Sequence, residues 1–319
     1  MKKTLATLAA GMMAVGMVSP AQAADIPCET ATLIVPWKAG GGTHVIFSIF
    51  EKTIAEMDVT PKIKVVSVGG QGGNKGAKQA AKAKPDGCTL FAIHQSAITS
   101  FLNGRIDYHF DGFETVANLT QTPDIIGAAT DVPFTDFKGF DEYAKANPGK
   151  IKAGTTFGST SHFLFLLLAK NMGVEFSYVP YDGTAERMTA LLSGAIDVGA
   201  INIASGSKHI ESGALQALAI ASEDRAPQLP DLPTLKELGV DMTSSLDRGV
   251  VVPLGTPRDV IDHWAEIFKK AVENPDLQAQ MEAKGTGLNF QGPDAYRDWA
   301  TELYGDYESV AIEIGMYKK

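Results

Sequence analysis

The chain has 319 residues, with 28 basic against 37 acidic side chains, a formal net charge of −9 and only two cysteines. An acidic chain without basic clusters argues against nucleic acid and anionic membrane surfaces as partners. Local backbone dipoles still allow it to hold a small anion.

The first 23 residues read as a signal peptide. Lys2 and Lys3 form a basic start, and residues 4–18 are apolar but too short to span a membrane. Small residues at Ala21 and Ala23 then place cleavage before Ala24. A retained anchor is the alternative. Cys28 lies beyond the cleavage point, so lipid attachment is not expected, and the expectation is export to the periplasm. Cys28 and Cys88 precede the apolar runs "TLIVPW" and "TLFAI". Neighbouring parallel strands would bring them together as one disulfide in an oxidising compartment; two free thiols are the alternative, and two isolated cysteines are not a metal site.

Residues 32–37 read as a strand, 43–57 as a helix, and 63–68 as a second strand. "GGQGGNKGAKQAAKAK" starts as a loop and becomes a helix that "PDG" ends, before a third strand at 88–93. A second series follows, with strands at 124–130, 150–156, 175–181, 196–202 and 215–222. Helices at 161–173 and 184–195 alternate with them, and residues 248–257 are extended. From Pro257 the chain reads as three helical segments, 257–275, 276–285 and 293–315. Alternating strands and helices predict parallel sheets, with the strand-to-helix loops gathered at one edge by right-handed crossovers. The expected fold is two α/β domains of the type II-like periplasmic binding kind, hinged around a ligand cleft. Residues 24–122 plus 248–319 form one domain and 123–247 the other.

Five turns at that edge are candidate ligand contacts. Gly41, Gly42, Thr43 and His44 follow Trp37 in "VPWKAGGGTH", where Thr43 is a candidate N-cap leaving later N–H groups for an anion. An ordinary glycine turn is the alternative. Thr156, Ser159, Thr160 and Ser161 crowd hydroxyls at the start of "FLFLLL", more than plain capping needs. His94, Gln95 and Ser96 follow the third strand, and Tyr181 and Asn202 close two more. Tyr181 reads equally as an ordinary turn aromatic, and Asn202 as a solvated loop residue. "GGQGGNKG" has Lys75 where a dinucleotide loop needs glycine, and Gly149-Lys150 lacks the rest of a phosphate-binding loop. No G-x-S-x-G elbow or paired-histidine metal spacing occurs, so no cofactor, metal or catalytic residue is expected.

"LIVPWKAGGGTH", "AKAKPDGCTL", "YAKANPGKIKAGTTFGSTSHF", "VPYDGTAERMTALLSGAIDV" and "RGVVVPLGTPRDVID" resemble the substrate-binding receptors of tripartite tricarboxylate transporters, the TctC or Bug family. The resemblance covers most of the chain. It implies a hinged two-domain receptor, no enzyme activity, a small organic carboxylate as ligand, and one large and one small membrane permease subunit as partners. The carboxylate would be held partly through ordered waters by Gly41, Gly42, Thr43 and His44 and by Ser159, Thr160 and Ser161. His44 stands where many members have aspartate, which turns a carboxylate-repelling position into one that favours acids once protonated. Thr156 and Phe157 replace smaller residues and alter pocket shape. A receptor feeding a signalling protein is the second reading, and a monomer suffices for either.

Overall fold

A computed structural model describes residues 25–318, so the expected signal peptide lies outside the described residues. The chain runs through β1 (Thr30–Val35), α1 (Gly42–Glu56), β2 (Lys62–Ser67), α2 (Asn74–Ala81), β3 (Thr89–Ile93), α3 (Ser96–Leu102) and β4 (Phe113–Pro123). Next come β5 (Ile125–Ala128), α4 (Phe137–Ala146), β6 (Lys152–Thr155), α5 (Thr160–Met172), β7 (Ser177–Pro180), α6 (Thr184–Leu192), β8 (Val198–Ile201), α7 (Ile203–Glu211) and β9 (Gln216–Ile220). It ends with β10 (Ser245–Pro253), α8 (Arg258–Val272), α9 (Pro275–Glu282), β11 (Gly287–Gln291) and α10 (Pro293–Glu313).

Two sheets result. One has the order β11-β4-β10-β3-β1-β2 and the other β7-β6-β8-β5-β9. The purely parallel expectation needs correction. β1 is parallel to β2 and β3, and β6 to β7 and β8. However, β10 runs antiparallel to β3 and β4, and β5 antiparallel to β8 and β9. The reason is topological: β10 arrives from the other lobe and β5 continues from β4, so neither is delivered by a right-handed helical crossover.

Side-chain alternation along β1 splits the first core. Leu33 and Val35 pack with Phe47, Phe50, Trp264 and Phe268, whereas Ile34 faces Phe91, Val251 and Tyr296 on the other side. α1 buries Ile46, Phe47, Phe50 and Ile54 at helical spacing, each such side chain contributing about 1.5–3 kcal/mol. Phe50 meets Phe268 of α8 edge-on at 6.0 Å.

Cys28 and Cys88 form a disulfide, Cα–Cα 6.0 Å. Parallel pairing of β1 and β3 brings them together, and Thr32 N donates to Cys88 O at 2.9 Å beside the bridge. The chain leaves the first sheet at Asp124 and re-enters it at Ser245. There the outgoing and returning segments are bonded directly: Asp124 N donates to Ser244 O at 2.9 Å, and Ala221 N to Asp124 O at 2.8 Å.

Candidate ligand-binding site

The loops after β1, β3, β6 and β7 converge on one narrow cavity between the lobes, partly open to solvent. The first lobe contributes Trp37, Gly41, Gly42, Thr43 and His94. The second contributes Thr156, Ser159, Thr160, Ser161, Gly183, Thr184 and Arg187. Asp124 and Leu246, from the crossing strands, complete the lining. The lobes also touch outside the cavity, where Gly72 N donates to Asp182 Oδ1 at 3.1 Å and Lys38 pairs with Glu186.

Three helices begin at this cavity, and none has a side-chain cap. The caps are Gly41 for α1, Ser159 for α5 and Gly183 for α6. By contrast, Asn202 caps α7, its Oδ1 accepting from Ser205 N at 3.1 Å. The first internal bonds are Val45 N to Gly41 O, His162 N to Ser159 O and Arg187 N to Gly183 O. The N–H groups before them have no intrahelical partner and carry the positive ends of three helix dipoles. Thr43 is therefore not the N-cap: it is the second helical residue, and its Oγ1 accepts from Arg248 Nε at 3.0 Å. The Ser159 and Ser161 hydroxyls bond each other at 3.2 Å, and Ser161 Oγ accepts from Thr156 N at 2.9 Å.

Two buried arginines add full charges. Arg187, 5% exposed, donates to Thr156 Oγ1 at 2.8 Å, Thr184 Oγ1 at 3.0 Å and Ala200 O at 3.1 and 3.3 Å. Four contacts use four of five N–H donors. Arg248, 0% exposed, lies behind Thr43 and Leu246; Nη1 donates to Thr122 Oγ1 at 2.7 Å, and Nη2 has no partner. Among the described residues, neither guanidinium touches a carboxylate. Burial pushes both down to about 10, against the pull of Asp124, so both are charged at neutral pH.

His94 stacks on Trp37, ring centroids 4.3 Å apart and planes within 8°. Its Nδ1 accepts from Ser96 N at 3.1 Å, which places the ring proton on Nε2. Burial, with Arg248 nearby, holds His94 well below its ordinary value, so the ring is neutral. Asp124 is pushed the other way: burial raises it, opposed by the Ser244 hydroxyl and both arginines.

The structure does not bring every expected residue to the cavity. His44 falls off the buried face of α1, which runs through Gly42, Thr43, Ile46, Phe47 and Phe50. Gln95 turns to β10, accepting from Asp247 N at 3.0 Å and donating to the Asp247 carboxylate. Ser96 lines an adjoining apolar chamber behind Trp37 and His94. Tyr181 packs against the core around Ile196 and Leu191. Asn202 caps α7 and flanks the cavity at Gly42 without lining it.

The sequence model for the tripartite tricarboxylate transporter family receptor, TctC, matches residues 61–296. The chain belongs to this family. It is 28% identical over 315 residues to the UPF0065 protein in the gbd 5' region of Cupriavidus necator, covering 98% of this chain and 95% of that one. In three dimensions it is similar to the periplasmic binding protein BugD, with a TM-score of 0.84 and 28% identity over 91% of this chain and 99% of BugD. It is also similar to malate-bound MatC from Rhodopseudomonas palustris, with a TM-score of 0.81 and 27% identity over 88% of this chain and 98% of MatC.

In this TctC-family receptor, Asp124, Arg187 and Leu246 are lining residues that loop reading did not find, while the turn at Tyr181–Thr184 lines the cavity through Gly183 and Thr184. The two lobes approach so closely that a Cβ on Gly42 would lie 2.8 Å from the Asn202 side-chain Oδ1 and Nδ2. Asn202 is held by its cap bonds, so Gly42→Ala must push the lobes apart. The expected result is a folded protein with ligand affinity lowered about ten-fold, in line with an overpacking cost of about 1–3 kcal/mol, measured by titration calorimetry.

Proposed function

We propose that this chain is a periplasmic receptor that captures a small organic carboxylate and delivers it, as a single chain, to the large and small permease subunits of a tripartite transporter. The ligand is released unchanged. The observation that carries this reading is Arg187: a buried, charged guanidinium on the cavity wall with no ion pair, beside three uncapped helix starts. Burying a lone cation costs several kcal/mol, and an incoming carboxylate offsets that cost. A charge-assisted hydrogen bond contributes about 1.5–3 kcal/mol net, so about four such bonds supply the roughly 8 kcal/mol of micromolar binding. Malate in MatC supports an organic acid, and the expected signal peptide and the Cys28–Cys88 bridge support an oxidising compartment.

The same reading makes two domains that close about the strands crossing at Asp124. The expected bounds, 24–122 with 248–319 and 123–247, shift slightly, because Pro123 and Ser245–Asp247 pair within the first sheet. The test is a thermal-shift and calorimetry series with di- and tricarboxylates, aromatic acids and their uncharged amides. A ligand at a hundred times its Kd adds about 2.7 kcal/mol. An acid is expected to stabilise the protein while its amide does not; stabilisation by sugars or amines alone refutes the reading. Cellular uptake of that acid is expected to fall when the receptor is deleted.

A further inference from the structure

Asp124 is out of keeping with the rest of the cavity. Gly41–Thr43, Ser159–Ser161, Thr184 and Arg187 offer donors or positive dipole ends, and a carboxylate among them repels the very ligand they attract. Its position is not a surface accident. The residue is 4% exposed, and its backbone N–H and C=O are both bonded where the chain crosses between lobes. Oδ2 accepts from Ser244 Oγ at 2.7 Å, and no bond engages Oδ1. Arg187 lines the same cavity, yet the two make no direct ion pair. An acid and a guanidinium thus face one space without touching, and a ligand that enters it meets both.

Resting on the carboxylate reading above, we propose that Asp124 reads the α-substituent of the ligand. The receptor takes acids carrying a hydrogen-bond donor, a hydroxyl or an ammonium, on the carbon next to the bound carboxylate. The carboxylate meets Arg187 and the helix starts, and the adjacent donor meets Asp124 Oδ1. This arrangement removes the repulsion that an unsubstituted acid would suffer. It also bonds the ligand directly to the segment where the lobes are joined, so occupancy and closure are coupled through one side chain.

The test uses the full protein and calorimetric titration with matched trios differing only at the α-carbon. Suitable trios are succinate, malate and aspartate; glutarate, 2-hydroxyglutarate and glutamate; and 3-phenylpropionate, 3-phenyllactate and phenylalanine. Within any trio that binds, the hydroxyl or ammonium member is expected to bind about ten- to a hundred-fold more tightly than the unsubstituted acid. Asp124→Asn distinguishes the two donors. An ammonium preference is expected to collapse to within about three-fold once the negative charge is gone, whereas a hydroxyl preference partly persists on the amide oxygen. If the variant does not fold, the wild-type trios decide alone. Trio members binding equally, or the unsubstituted acid binding best, overturns this inference and leaves the carboxylate reading standing. Failure of every acid in both series overturns both.

Discussion

Arg187→Met is expected to lower affinity for the carboxylate ligand between about thirty-fold and several thousand-fold, with little change in the unliganded melting temperature. Removing one partner of a buried, hydrogen-bonded charge pair costs about 2–5 kcal/mol. On the carboxylate reading proposed above, Arg187 is that partner in the bound receptor, because no protein carboxylate touches it. Without ligand the terms oppose each other. Methionine leaves Ala200 O without its two guanidinium bonds, a penalty of about 1–3 kcal/mol. It also removes a buried charge whose replacement by an apolar side chain is often neutral or stabilising. Thr156 and Thr184 each lose a donor, and both residues line the cavity, which gives water a route to replace it. Arg187→Lys is expected to fall between, since an ammonium keeps the charge but not the planar fork that reaches Thr156, Thr184 and Ala200 together. Affinity of Arg187→Met within three-fold of wild type would show that the helix starts bind the acid unaided.

That residue also marks how far the sequence could be read. The Gly40–Gly42 and Ser159–Ser161 turns were legible because each ends an apolar run and opens a helix, so chain order alone places both at the ligand edge. Arg187 was not, since a basic residue inside "TAERMTALLSGA" reads as a solvated helix face. A signal was available: Arg187 shares helical spacing with the buried Ala190 and Leu191, so it occupies a core-facing position. His44 was misplaced because the helix cap lies two residues before the expected one. With Gly41 rather than Thr43 as the cap, the inward face passes through Gly42 and Thr43 and leaves His44 to one side. β4 was missed for another reason. "FETVANLTQTP" is too polar for a core strand by composition, yet it lies between β10 and β11 and buries most of its length. Two of its three hydroxyls find partners that only the fold supplies, Thr122 with Thr286 at 2.9 Å and Thr115 with Pro293 O at 2.8 Å, while Thr120 Oγ1 is buried without one. Asp124, the last residue before β5, opens an apolar run and reads as a strand boundary. Only the convergence of two lobes turns it into a wall of the cavity.

Reducing the Cys28–Cys88 bridge is expected to lower stability by about 4 kcal/mol while leaving ligand affinity nearly unchanged. The two cysteines are 60 residues apart, and closing a loop of that length removes about this much free energy from the unfolded chain in the entropic account. At about 2 °C per kcal/mol for a chain of this size, the melting temperature should fall by roughly 8 °C in a reductant or in Cys28→Ala/Cys88→Ala. The effect on binding differs because of where the bridge lies. Cys28 and Cys88 precede the amino ends of β1 and β3, whereas Trp37 and His94 leave the carboxyl ends of the same strands. The full length of both strands and the bonded register Thr32–Thr89, Leu33–Leu90 and Ile34–Phe91 separate the bridge from the cavity. Once the sheet is folded, its register fixes the two loops whether or not the sulfurs are joined. Calorimetry on oxidised and reduced protein below both melting transitions tests this. Equal Kd values with separated melting temperatures are expected, and an affinity loss beyond about three-fold would mean that the bridge itself positions Trp37 and His94.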